Sequence, residues 1–283
     1  MLLTRVDLHT HTNASDGLLA PEGLVRAVQA ARLAVFSVTD HDTVDALAEV
    51  QERCALLGLV LVPGIELSAM WHGGELHILG YFIDPTDSHL LGFLRRRREA
   101  RRVRLGTMLA RLRMLGITVN PETVLAKAQD GNVARPHLAR VLVDGGYVAS
   151  LEEAFERYLA EGKPAYVPRP DVQFEEAIRV IHEAGGLASW AHPGVNGRDG
   201  AIPDLVAAGL DAIEVYHPKH SPGVTAHYRR LAEAQNLLVT GGSDFHGTTV
   251  RDHGITPGNP ILPEPDFLRL KAAAAGRRPL ARS

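Results

Sequence analysis

The sequence predicts an α/β fold: a barrel-sized parallel sheet with helical crossovers, interrupted once by a block of helices. Three observations lead there. Short apolar runs alternate with amphipathic helical patterns over residues 1–86 and again from 169 onward, the signature of β/α units. Between them, residues 87–168 show helical patterns and no convincing strand. Nearly every conspicuous His, Asp and Glu falls at or just past the end of an apolar run, where parallel sheets carry their chemistry. The expected organisation is therefore a first barrel part (1–86), a helical insertion (87–168) and a second barrel part (169–283). Because the insertion interrupts the alternation at one such end, it is expected to cap the site.

Taken in order, Leu2–Leu8 reads as a strand running into DLHTHT. Pro21–Arg32 reads as a helix, with Leu24, Val25, Val28 and Ala31 on one face and Pro21 in its first turn. Val35–Thr39 is a strand ending at TDHD. Asp42 or Thr43 is expected to cap the next helix, which runs to Gly58. Leu59–Val62 and Glu75–Ile83 are the third and fourth strands, the latter carrying His77. After the insertion a helix runs from Phe174 to Gly185-Gly186. Strand Leu187–Trp190 ends at AHP, Ala212–Val215 at YHP, and Leu237–Thr240 at GGSDFH, with helices over 202–208 and 224–235 between them. A last helix covers about Pro265–Ala275.

Composition narrows the class. The 283 residues are 45% hydrophobic and 22% charged, ordinary for a globular chain and enough for a core. A net charge of -3 argues against nucleic-acid binding driven by global charge. Cys54 is the sole cysteine, which excludes an internal disulfide and a Cys-rich zinc site and suits a reducing cytosol. No apolar run reaches the ~18 residues of a membrane span, so a cytoplasmic protein with no membrane partner is expected. The excess is in histidine, 14 in all.

His9 and His11 lie two apart after a strand, on one face, so both imidazoles can reach one ion. Asp7 shares their parity and could accept the second ring N–H of a ligand. Asp16 follows in the loop, and TDHD supplies His41 between Asp40 and Asp42. GIE supplies Glu66, ELHILG His77, AHP His192, and GSDFH both Asp244 and His246. A lone strand-end His more often bonds a nearby carbonyl than a metal, but six with three acidic residues at strand ends facing one way form a set. Nitrogen and oxygen ligands without sulfur suit zinc, manganese or iron. A site of this size suggests two or three divalent ions, which serve hydrolysis by activating water near neutral pH and clamping a phosphoryl group.

As an ordered set, DLHTHT, TDHD, GIE, the His77 segment, AHP and SDFH resemble the PHP (polymerase and histidinol phosphatase) family of metal-dependent phosphoesterases. The resemblance implies a distorted (β/α)7 barrel with a trinuclear site. One metal would take His9, His11, Glu66 and Asp244. A second would share Glu66 and add His77 and His192, and a third would take Asp16, His41 and His246. Some members carry His where Asp16 stands, which bears on the identity and occupancy of that third ion. The insertion, with ARPHLARVLVDGGYV and AFERYLAEGKPAYVPR, resembles one branch of the family. Its members remove the 3′-phosphate of nucleoside 3′,5′-bisphosphates, and some act as 5′→3′ exonucleases on short RNA.

The expectation is thus a phosphatase or exonuclease acting on a nucleotide or an RNA 5′ end, with no obligate protein partner. Asp7, Asp40 and His217 are its catalytic candidates, His217 as a possible proton donor to the leaving oxygen. Arg135, His137, Lys163, Tyr166 and Lys219 are its substrate-binding candidates, since Arg grips phosphate bidentately and Lys acts as a point charge. His220 follows in the same YHPKH segment. The alternatives are a histidinol-phosphate phosphatase, or a noncatalytic metal-binding accessory module, which would have no need of nine ligands. The run RRRREARRVR, seven arginines and one glutamate over 95–104, wraps around its helix and reads as a solvated face rather than an RNA-binding stripe. His72, His89, His182, His227 and His253 are expected to be structural or at the surface.

Overall fold

The computed structural model describes residues 4–128, 133–168, 172–247 and 254–277. His253 lies outside these, as do the first residues of the expected N-terminal strand. Seven strands form one sheet in sequence order: β1 (Val6–Asp7), β2 (Val35–Val38), β3 (Val60–Trp71), β4 (Gly74–Tyr81), β5 (Leu187–Trp190), β6 (Ala212–Tyr216) and β7 (Leu238–Gly241). The edges nearly meet. Leu8 N–H donates to Gly241 O at 3.1 Å, and Thr10 bridges Phe245 in parallel, so the sheet is a nearly closed barrel.

The all-parallel expectation fails at β4. It runs antiparallel to both β3 and β5, because β3 continues through PGIE for twelve residues and turns back at His72-Gly73. Both turn residues are left-handed, with φ 45° and 75°, as a tight hairpin demands. The other pairings are parallel. Period-two burial reads the same in either direction, which is why the segment passed as one more β/α strand.

The barrel helices are α1 (Pro21–Ala30) and α2 (Leu47–Leu57) in the first part of the chain. The capping expectation for α2 is also corrected: its N-cap is Ala46. Asp42, at φ 53°, instead accepts from Ser68 N–H at 3.3 Å, and Thr43 Oγ1 accepts from Asp45 N–H. Both are spent on the TDHD turn before the helix begins.

The chain divides into two compact units, Met1–Leu91 with Val172–Ser283, and Gly92–Asp171. The boundary falls within α3 (Ser88–Met114). The second unit continues through α4 (Pro121–Lys127), α5 (Arg135–Asp144), α6 (Leu151–Ala154) and a π-helical turn at Phe155–Leu159. Its core gathers Leu105, Met108, Leu112, Val124, Leu138 and Leu142. The arginine run is not wholly solvated: Arg101 and Arg104 are buried, and Arg104 Nε donates to Val167 O at 2.7 Å. A 27-residue helix with arginine on every side must turn some of them inward, and the buried guanidiniums then need carbonyls.

After Val172 the barrel resumes. α7 (Phe174–Glu183) buries Phe174, Ala177, Ile178 and Ile181. Then come α8 (Pro193–Asn196), α9 (Ile202–Ala207), α10 (Pro222–Ala234) and α11 (Glu264–Gly276), interleaved with β5–β7.

Candidate metal centre

The nine expected ligands converge at one end of the barrel, drawn from both parts of the chain. Glu66 is the hub. Register puts it on the same face of the β3–β4 hairpin as His77, since Glu66 pairs with Leu79 and Ser68 with His77. Its Oε1 lies 2.8 Å from His77 Nδ1 and 3.1 Å from His192 Nε2. Its Oε2 lies 3.2, 3.3 and 3.4 Å from His9 Nε2, His11 Nε2 and His41 Nδ1. Asp244 Oδ1 faces His9 Nε2 at 3.2 Å and His11 Nε2 at 3.3 Å. Asp16 faces His11, His41 and His246 at 3.7, 3.6 and 3.4 Å.

This geometry fits ions. Within each of the sets His11–Asp16–His41–His246, His9–His11–Asp244 and His41–Glu66–His77, the ligand atoms all lie within 4.8 Å of one another. Donors held at about 2.1 Å around one tetrahedral ion stand roughly 3.4 Å apart, close to most of these separations and longer than a good hydrogen bond. Both ring nitrogens of His11 and Nδ1 of His192 are buried without a hydrogen bond, a costly state that coordination would relieve. His192 and Asp244 also hold left-handed backbones, φ 30° and 52°. Such conformations cost ~1–3 kcal/mol each and cluster at functional sites.

Charge distribution agrees. Burial disfavours the charged form of Glu66, but His41, His9 and His77 around it hold its carboxyl well below the usual range. Asp244 is lowered likewise, His9 and His11 overriding burial. Burial alone would lower the histidines, yet the carboxylates raise His9 well above its ordinary value, His11 to about 10 and His77 to about 9. His41 goes down to about 4, because burial outweighs Glu66 and Asp16. A cluster this hungry for positive charge is what a divalent cation satisfies.

The three expected catalytic residues are placed otherwise. Asp7 does not receive a ring N–H. Its oxygens accept from His9 N–H, Ser243 N–H and Oγ–H, and Gly258 N–H at 2.6–3.1 Å, tying β1 to the loop after β7. Asp40 accepts from Thr12 N–H and Oγ–H and from Ser15 Oγ–H at 2.6–2.7 Å, and so shapes the loop that carries Asp16. His217 Nδ1 accepts from Lys219 N–H at 3.2 Å, so Nε2 carries the ring proton and donates it to Asp244 Oδ2 at 3.2 Å. In this arrangement it orients Asp244.

Sequence reasoning missed Glu214. Fully buried in β6, it accepts from His9 Nδ1 at 2.8 Å and from His192 N–H at 2.7 Å. That is the carboxylate–histidine relation expected of Asp7, and it fixes the His9 tautomer so that Nε2 faces the cluster. The available signal was a glutamate in the apolar strand AIEVY. His246 is oriented similarly by its Nδ1–H to Asp244 O, at 2.8 Å.

A cavity of about 450 Å³ opens on the cluster, lined by His41, Glu66, His77, His192, Asp244 and His246, and also by Glu75, Val195, Arg198 and Lys219. His220 is structural: Nδ1–H donates to Val215 O, and Nε2 accepts from Gly194 N–H. His182 and His227 pair with Asp211 and Asp199, while His72 and His89 are exposed.

The Arg135 guanidinium lies over the Phe155 and Tyr166 rings and donates to Leu159 O. His137 Nδ1 accepts from Ala134 N–H at the start of α5. Lys163 is exposed on the turn before Tyr166.

A nearly closed seven-stranded barrel with a histidine–carboxylate cluster at its mouth defines the class, and the chain belongs to the PHP-domain family. The PHP domain matches residues 7–133. The 5′-3′ exoribonuclease Rnm of Escherichia coli is 40% identical over 85% of this chain and 84% of its own. The 3′,5′-nucleoside bisphosphate phosphatase of Chromobacterium violaceum is 35% identical over 95% of this chain and 98% of its own. A crystal structure from Bifidobacterium adolescentis, described as a candidate metal-dependent phosphoesterase, superposes with a TM-score of 0.81 at 29% identity, covering 95% of this chain and 96% of that one. No helix among the described residues is long and apolar enough to cross a membrane.

Proposed function

We propose that this protein is a metal-dependent phosphoric ester hydrolase that removes the 3′-phosphate of nucleoside 3′,5′-bisphosphates and trims the 5′ ends of short RNA. The observation that carries the reading is Glu66, whose two oxygens face two separate sets of imidazoles. Such a carboxylate would serve two ions rather than one. The near-full-length likeness to an exoribonuclease and to a bisphosphate phosphatase supports the substrate class.

Two or three Mn, Fe or Zn ions are the cofactors in this reading, held by His9, His11, Asp16, His41, Glu66, His77, His192, Asp244 and His246. When bound, such ions activate water near neutral pH and neutralise charge developing on the phosphoryl oxygens. The chain's own residues do the positioning. Glu214 fixes His9, His217 fixes Asp244, and the Asp7 and Asp40 clamps hold the loops in register. Lys219, Arg135, Lys163, His137 and Tyr166 are the substrate contacts in this proposal, and a cytoplasmic location agrees with the single buried thiol of Cys54.

The test is phosphate release from adenosine 3′,5′-bisphosphate, histidinol phosphate and a 5′-phosphorylated short RNA with Mn²⁺ added. Release from the bisphosphate or the RNA, abolished by chelation, is expected. Preference for histidinol phosphate, or no release from any of the three, overturns the reading.

A further inference from the structure

We infer that Arg198 determines specificity by gripping the phosphate that is not cleaved. The inference rests on the proposed bisphosphate reading and deepens it. Of the four cavity-lining residues outside the cluster, two are cations, Arg198 and Lys219. Among the described residues neither the Arg198 guanidinium nor the Lys219 ammonium has a hydrogen-bond or ion-pair partner. A half-buried guanidinium that pairs with nothing in the cavity wall is free to take an anion bidentately.

Arg198 is also held in place. Gly197 N–H bonds Pro193 O at 3.1 Å and Ala201 N–H bonds Arg198 O at 2.8 Å. The next residue, Asp199, accepts from Tyr228 Oη–H and pairs with His227 Nε2, both at 2.7 Å. The guanidinium then lies on Gly74, the first residue of β4. A Cβ there would stand 1.5 Å from Nη1 and 2.1 Å from Cζ, so only glycine admits this pose.

Position decides which phosphate it serves. Gly74 precedes His77 by three residues on one strand, on the order of 10 Å at ~3.4 Å per residue. The odd offset turns it to the opposite face from His77, so Arg198 lines the cavity from the far end of β4 rather than beside the cluster. Oxygens of a single phosphoryl group among the clustered ligands do not span that distance. A second phosphate, separated from the first by a ribose, can. The planar fork suits bidentate phosphate recognition, with Lys219 adding a point charge.

Substitutions at Arg198 and Gly74, with two readouts, test this on the whole chain. Arg198→Ala removes the charge, and Gly74→Ala keeps it but displaces the guanidinium. With Mn²⁺-loaded enzyme, each variant is expected to raise KM for adenosine 3′,5′-bisphosphate about ten- to a hundredfold. The effect on kcat/KM for p-nitrophenyl phosphate, which has no second phosphate, is at least ten times smaller, and Arg198→Lys restores part of the loss. Calorimetric titration of chelator-treated protein gives the second readout. Arg198→Ala should lower affinity for adenosine 3′,5′-bisphosphate more than for adenosine 3′-monophosphate, which lacks the uncleaved 5′-phosphate. Equal losses on the paired ligands, or losses confined to Arg135→Ala run alongside, overturn the assignment. If wild-type enzyme hydrolyses no ester at all, the proposed reaction fails, and the titration still decides Arg198.

Discussion

Glu66 offsets five imidazoles with one charge. Glu66→Gln keeps its shape and removes that charge, so at least one ion per chain is expected to be lost, with activity falling about a hundredfold or more. Elemental analysis beside phosphate release checks both, and full metal content with full activity would refute the two-sided role. Glu214→Gln is milder. The amide can still accept from one partner, but His9 loses its charged anchor, and metal affinity is expected to fall ten- to a hundredfold with circular dichroism unchanged. The contrast between these glutamates shows what was legible beforehand. Glu66 stood at a strand end beside other polar motifs, where a ligand is expected. Glu214 sat inside an apolar strand, and only three-dimensional proximity to His9 shows its use. Asp7 was misassigned for the complementary reason: sequence parity gave its face, but not the backbone donors of Ser243 and Gly258 that fill its oxygens.

Among the elements, the loop between β1 and α1 holds its ligand least firmly. The Asp16 side chain is 49% exposed against 1% for Glu66, and its contacts run from 3.4 to 3.7 Å. As chelator is raised, one ion is therefore expected to leave before the rest, and Asp16→Asn should abolish that early step. Simultaneous release of all ions would contradict this. The segment after β6 makes a pH-dependent contribution. Burial lowers the pKa of His220, and both its ring nitrogens are bonded in the neutral form. Below about 6.5 the unfolded chain binds the proton that the folded chain resists. His220 thus contributes fully above that pH, and its contribution declines as pH falls toward the lowered folded value, by up to about 1.4 kcal/mol per pH unit. Urea melts at pH 7.5 and 5.5 should show wild type losing more stability than His220→Gln; equal losses would remove His220 from the account. The β/α alternation that predicted most elements was readable because burial periodicity is local. Strand direction is not local, and β4 was misread for that reason alone.

At the scale of the whole molecule, the barrel depends on the seam where β1 meets the chain after β7. A Cβ on Gly242 would stand 2.4 Å from His9 N and 2.7 Å from Asp7 Oδ1. Gly242→Ala is therefore expected to cost ~1–3 kcal/mol and to lower metal content by shifting His9. Thermal melts with elemental analysis check this, and a variant as stable and as metal-rich as wild type would show that the seam is slack. The pairing of β4 with β5 has a consequence of another kind. Tyr81 lies opposite Leu187, so two neighbouring strands are separated along the chain by everything between them. His9, His11, Asp16, His41, Glu66 and His77 are made before that excursion, and His192, Asp244 and His246 after it. An ion held by both groups would rivet together two lengths of polypeptide that lie far apart in the sequence. A chain nicked within the excursion is expected to hold its halves together through the β4–β5 pairing and the β1–β7 seam, and more firmly with metal bound than without.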